Sequence, residues 1–307
     1  MFRFKREQSV VNVSGVKFGG QPGELPTVLC GTIFYQGQKI VHDEELGAFD
    51  HEAAEVLICR QAELSEETGC PAVLHIYART SEAFERYLDI AERVWSGPVI
   101  IDSADHAVRA KMAELVSELG YADRTIYNSI SLATTEAEAQ AIKDCEVDSA
   151  IALAYNPAEP GVDGALHILE TGGAVKEKGL IVLAKELGIA NLLIDPGVVP
   201  LGSGAGTALR FSIAVKARLG LPVGSGIHNA VSAWPWLKSR EAQTKRCCDA
   251  AANAMQLLAA GDFLLYGPIE NAEFIFPAAA MADIMVAEAV RDLDISPVND
   301  HPLHKLV

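Results

Sequence analysis

The sequence predicts an α/β protein of the (β/α)8 TIM-barrel class with a short N-terminal β-hairpin. Three observations carry this. Eight short apolar runs alternate with amphipathic, helix-patterned segments from end to end. The 307 residues suit one barrel. Half the residues are hydrophobic and only 21% are charged, as expected where parallel strands are buried on both faces.

The opening VVNVSGVKFGGQPGE alternates apolar and polar residues around Gly15, a hairpin pattern that places residues 1–24 ahead of the barrel, suited to plug its bottom. The strand candidates follow in order: TVLCGTIF (27–34), AVLHIY (72–77), VIID (99–102), TIYNSI (125–130), SAIALAY (149–155), NLLIDP (191–196), PVGSGI (222–227) and FLLYG (263–267). Between them lie helical patterns such as DHEAAEVLICRQAELSEETG, SEAFERYLDIAERVW, HAVRAKMAELVSELG, TEAEAQAIKDC, KGLIVLAKELG and CCDAAANAMQLLAAG, several closed by a glycine. An open doubly wound sheet would carry a Gly-rich dinucleotide loop after its first strand, and GTIFYQG is no GxGxxG. No Pro-rich or charged linker splits the chain, so residues 1–307 read as one domain.

With 25 basic and 41 acidic residues the formal charge is −16, which repels phosphate backbones and speaks against nucleic-acid binding. The basic start MFRFKREQ is followed by a segment too short and polar for a signal peptide, and no stretch approaches the ~20 apolar residues of a membrane span. A cytoplasmic protein without direct membrane insertion is expected. Six cysteines lie scattered with no CxxC pair, so no metal site is expected.

A barrel places its chemistry at the C-terminal ends of its strands. Asp102 ends VIID, Asn128 lies in TIYNSI, Asp195 ends NLLIDP and Asn229 follows PVGSGIH. Two carboxylates and two carboxamides at one mouth suit a planar heterocycle edge, such as a pterin's, that carries amino, ring N–H and carbonyl groups. The same residues also suit structural duty: Asp102 or Ser103 can cap the next helix, and Asp195 before Pro196 can form a turn. By strand alternation, His228 points away from the mouth or lies on the loop if Asn229 points in, and His75 reads as packing. WPW at 234–236 reads as a packed turn.

IDS at 101–103, YNSI at 127–130 and IDPG at 194–197 resemble the pterin-binding barrels of dihydropteroate synthases and methyltetrahydrofolate:corrinoid methyltransferases. More closely, GGQPGE (19–24), GTIFY (31–35), DRTIYNSI (123–130) and NDHPLHKL (299–306) resemble the H-subunit family of tetrahydromethanopterin S-methyltransferase, with its bacterial tetrahydrofolate-using relatives, over the whole chain. The resemblance implies a methyltransferase moving a methyl group between N5 of a tetrahydropterin and a corrinoid of the methylcobalamin type. Tetrahydrofolate is favoured over tetrahydromethanopterin, and a non-catalytic pterin-binding component of a methyltransferase complex is the alternative.

By the same resemblance Asp102, Asn128, Ser129 and Asp195 hold the pterin, and Asn229 lies near N5, with Asn229 and Asp195 as the catalytic candidates. Synthase chemistry is not expected, because PVGSGIHN and FLLYGPIEN lack the lysine and basic cluster it needs. Glu270 and Asn271 after the eighth strand are further candidates, either reaching the mouth or capping a turn. Gly202 and Gly204 in GVVPLGSGAGT fit either a phosphate cradle or a loop making room for a corrinoid. The chain has no corrinoid-binding DxHxxG motif, so the corrinoid protein is expected to be a separate, transiently docking partner. A homodimer is implied by the family, with the apolar segment 274–290 as one possible face.

Overall fold

The computed structural model describes residues 2–173 and 175–307. Eight parallel strands form the centre: β1 (Val28–Ile33), β2 (Ala72–Tyr77), β3 (Val99–Asp102), β4 (Thr125–Ile130), β5 (Ser149–Leu153), β6 (Asn191–Asp195), β7 (Gly224–Ser225) and β8 (Phe263–Pro268). Their order is β6-β5-β4-β3-β2-β1-β8-β7. A parallel bridge between Ile194 and Val223, with the Ile194 N–H donating to the Pro222 carbonyl at 2.9 Å, joins the two edges and completes the ring. Closure leaves no open sheet edge to protect.

Every second residue on these strands faces the barrel axis. Val28, Cys30, Val73, Ile100, Ile126, Ile151, Leu193, Phe263 and Leu265 form one buried cluster, and Val13 and Phe18 of the N-terminal hairpin (Val10–Val13 paired with Val16–Gly19) join it from below. The predicted hairpin thus does fill the barrel floor. A larger apolar layer lies between the outer strand faces and the surrounding helices.

The helices start where the sequence supplies caps. Asp50 accepts from the Ala53 N–H to open α1 (His51–Thr68), and Gly69 stops it in the left-handed region at φ 79°. Thr135 and Glu138 form a reciprocal capping box at the start of the helix Glu136–Asp144.

Two regions depart from the sequence reading. The loop after β1 carries a second, small hairpin (Val41–Asp43 with Ala48–Phe49) that its short polar runs do not announce. The seventh apolar run keeps only two residues as strand, and a short helix, His228–Ser232, begins directly after it.

Candidate functional site

Strand alternation decides what reaches the mouth. Thr32, His75, Asp102, Asn128 and Asp195 each lie two residues beyond an axis-facing apolar residue (Cys30, Val73, Ile100, Ile126 and Leu193) and so share its orientation. Asp102 is paired in register with Asn128 on one side and Tyr77 on the other, so two of the predicted polar residues are lateral neighbours.

Asp102 is not a helix cap. That task falls to Asp105, whose side chain accepts from the N–H groups of Ala107 and Val108 at the start of the helix His106–Glu118. The Asp102 carboxylate instead meets His75 Nε2 at 3.1 Å, and His75 Nδ1 meets Thr32 Oγ1 at 3.0 Å. A chain from Thr32 through His75 thus orients one carboxylate oxygen of Asp102 and leaves the other toward the mouth. The sequence alone assigns His75 to packing; the structure puts it in the polar network of the mouth. The signal for this is its parity with Val73, a period-two relation that puts the imidazole on the axis.

Asp195 is 7% exposed, and its Oδ1 accepts from the Gly197 N–H at 2.7 Å. The predicted turn role is therefore real, yet it uses one oxygen. Burial pushes the carboxyl up to about 6, and the Gly197 hydrogen bond works against that shift. Asn128 and Ser129 are half-buried, and their side chains have no hydrogen-bond partner among the described residues. An amide two residues above the core with nothing to bond is suited to a ligand.

Asn229 follows the seventh strand, but on a helix rather than at a strand end. It occupies the first turn of the helix His228–Ser232, is exposed, and its backbone N–H donates to the Gly226 carbonyl at 2.9 Å. The strand-alternation argument fails for its neighbour too, because no strand runs through these residues. His228 is half-buried and packs its ring on Gly267 of β8: a Cβ there would lie 2.5 Å from the ring. Burial, and then the nearby His75, lower the His228 imidazole to about 4, so it is neutral near pH 7.

Glu270 is drawn toward the loop after β1, where it accepts from Gln38 Nε2 at 3.0 Å and from the Tyr35 hydroxyl at 3.3 Å. Asn271 donates to Asp249 at 3.2 Å. Gly202 and Gly204 adopt φ of 90° and 108° in the exposed loop after β6, and Gly204 lines a cavity of about 310 Å³ with Tyr155, Asn156 and Pro196. WPW is a stacked pair rather than a packed turn: Trp234 and Trp236 rings lie 4.7 Å apart where the helix Pro235–Lys238 begins, and Trp236 is largely exposed.

Taken together, the mouth offers two carboxylates, one oriented by histidine and one desolvated, beside an unpartnered carboxamide. Such a set accepts and donates hydrogen bonds along one edge of a flat polar ring. Among the described residues no cluster of three or more His, Cys, Asp or Glu side chains is arranged to hold a metal.

The family model described as tetrahydromethanopterin S-methyltransferase MtrH subunit matches residues 6–298. The H subunit of a putative mtx methyltransferase from Methanosarcina mazei is 50% identical, and the alignment covers 100% of both chains. The H subunit of tetrahydromethanopterin S-methyltransferase from Methanothermobacter thermautotrophicus is 48% identical with the same full coverage. Among solved structures, dihydropteroate synthase of Yersinia pestis in a sulfonamide complex superposes with a TM-score of 0.62 at 13% identity, over 93% of this chain and 100% of that one. The Coxiella burnetii dihydropteroate synthase gives 0.60 at 12% identity, over 91% and 99%. At such identities the structural likeness concerns the barrel fold.

Proposed function

From the premise that this chain belongs to the tetrahydromethanopterin S-methyltransferase MtrH subunit family, and is thus a methyltransferase, we propose that it moves a methyl group between N5 of a tetrahydropterin and a corrinoid held by a partner protein. Residues 1–307 act in this reading as one pterin-binding methyltransferase domain. The observation that carries it is the convergence of Asp102, Asn128 and Asp195 on one barrel mouth, with Asp102 and Asn128 side by side in register.

Asp102 and Asp195 each have one carboxylate oxygen left for the amino and ring N–H groups of the pyrimidine, while Asn128 and Ser129 serve the carbonyl and neighbouring nitrogen. The Thr32–His75 chain holds Asp102 in the rotamer this needs. Asn229, on the opposite side of the mouth, directs its free amide at N5 and steadies the proton there as the N5–methyl bond breaks or forms. The corrinoid supplies the cobalt that exchanges the methyl group. Since the transfer is an in-line displacement, the chain's contribution is mainly positioning: it fixes N5 at the mouth and leaves that face open for a transient partner. The loop bearing Gly202 and Gly204 lies at this rim and gives room for docking; Glu270 and Asn271 border it from β8.

The name of the Methanothermobacter thermautotrophicus relative carries tetrahydromethanopterin, whereas the resemblance to bacterial members favours tetrahydrofolate. The two share the rings that these residues hold, so both pterins enter the test. The test follows the corrinoid spectrum anaerobically while methylcobalamin is mixed with each reduced pterin. Pterin-dependent demethylation, reduced at least ~10-fold in Asp102→Ala and in Asn229→Ala, is the expected result. Tight pterin binding with no demethylation, even with a candidate corrinoid protein, would leave only a binding role.

The exposed Met281 and Met285 on the helix Ala272–Ala289 support a homodimer built on that face. No helix among the described residues is long and apolar enough to cross a membrane; a cytoplasmic location is part of the proposal.

A further inference from the structure

Beside the mouth, on the β7–β8 side, lies a cavity of about 280 Å³ whose wall includes His228, Lys238, Lys245, Arg246, Asp249 and Asn271. Its charge is opposite to that of the whole molecule, which is −16. Lys238, Arg240, Lys245 and Arg246 fall within nine residues of sequence, against the single acid Glu241, and none of the four forms a salt bridge among the described residues.

Two of the four cations are also held in place. The Arg246 guanidinium lies over the Phe274 ring at 4.4 Å, and that of Arg240 lies over Trp236 at 4.2 Å. Lys245 and Arg246 stand near the start of the helix Ala242–Leu258, whose first N–H groups receive no side-chain cap and add their own positive field. The carboxyl in the wall, Asp249, is bonded by the amides of Asn253 and Asn271, and burial raises it to about 6. Three cations thus face one already-satisfied carboxyl. His228 of the cavity wall lies near His75, which is itself bonded to Asp102. A ligand whose ring sits on Asp102 and Asn128 can extend past His228 into the cavity. The volume admits a chain of atoms and excludes a corrin ring.

We propose that this cavity is a subsite for the anionic tail of the reduced pterin, with Lys238, Lys245 and Arg246 taking its terminal carboxylate or phosphate. The inference rests on the pterin reading above and adds which part of the substrate reaches which residues. Tail charge, rather than the rings, then sets much of the affinity and makes it fall with salt.

The test compares anaerobic binding, by calorimetry, of tetrahydrofolate, which carries two tail carboxylates, and 6-methyltetrahydropterin, which has no tail. The proteins are the natural chain and the triple variant Lys238→Gln, Lys245→Gln, Arg246→Gln; all three positions are exposed, so the fold is kept. The expected result is a loss of at least about tenfold in tetrahydrofolate affinity, together with its salt dependence, and no change for 6-methyltetrahydropterin. Equal effects on both ligands, or none on tetrahydrofolate, would overturn the proposal while leaving the pterin reading intact. If the natural chain binds neither of these nor tetrahydromethanopterin, the pterin reading falls and this inference with it. An unchanged pterin affinity beside a raised KM for methylcobalamin, but not for methylcobinamide, which lacks the nucleotide phosphate, would give the cavity to the corrinoid instead.

Discussion

At the residue scale, Asp195 carries a pH signature. Its carboxyl is raised by burial to about 6. Between the ordinary range near pH ~4 and about 6 the folded protein therefore keeps a proton that the unfolded chain has released, and stability falls as pH climbs through that window. Asp195→Asn removes this slope, so its stability relative to the natural chain should be greater at pH 7 than at pH 4, by up to roughly 3 kcal/mol, in denaturant titrations at the two values. Ligand binding has the opposite sign. Ring N–H donors favour the ionised carboxylate, so pterin affinity should rise as pH passes upward through about 6, and Asp195→Asn should bind weakly with no such rise. Asp102, Asn128 and Asp195 are legible in the sequence because each lies in or ends an apolar run with the right parity. His75 is not, since a histidine inside a strand is usually packing; only its parity with Val73 and its bond to Asp102 reveal it.

At the scale of elements, two of these residues hang on one buried carboxylate. Glu138, 1% exposed, accepts from the Tyr127 hydroxyl next to Asn128 and pairs with Arg109 at 2.8 Å, whose Nη1 donates to the Ser103 carbonyl next to Asp102. Removing it strands Arg109 in the interior. Glu138→Ala should cost about 3–5 kcal/mol in chemical denaturation, and a loss under ~1 kcal/mol would refute the clamp. Gly267 on β8 has φ +80° and touches the His228 ring. Gly267→Ala should displace that ring and lower pterin affinity, while a ring left in place by NMR would count against the contact. The other strands can be placed from their sequence because apolar runs rich in β-branched residues leave little choice. The seventh is placed but not bounded by its sequence, because Gly-Ser-Gly supports neither strand nor helix, and its short pairing with β8 decides where it ends. For that reason the helix that carries Asn229 is not foreseen in the sequence.

At the scale of the whole molecule, barrel and family are consistent from end to end, since the family model spans residues 6–298 of 307. Met281 and Met285 are 56% and 58% exposed on the outer face of their helix. If they form the homodimer face, Met281→Glu with Met285→Glu should shift the mass seen by light scattering from dimer to monomer without loss of helix content. A basic cavity on an acidic chain cannot be foreseen from net charge, because it depends on the short helix His228–Ser232 folding beside β8.

Methyl transfer at N5 is followed most directly through the methyl carbon itself. Methylcobalamin bearing a 13C-methyl group is incubated anaerobically with the protein and a reduced pterin, and the product is read by NMR. The predicted result is the label on N5 of the pterin, formed by the natural chain and lost in Asn229→Ala and Asp102→Ala. Label that stays on cobalt with either pterin, or that moves equally well without the protein, would contradict it.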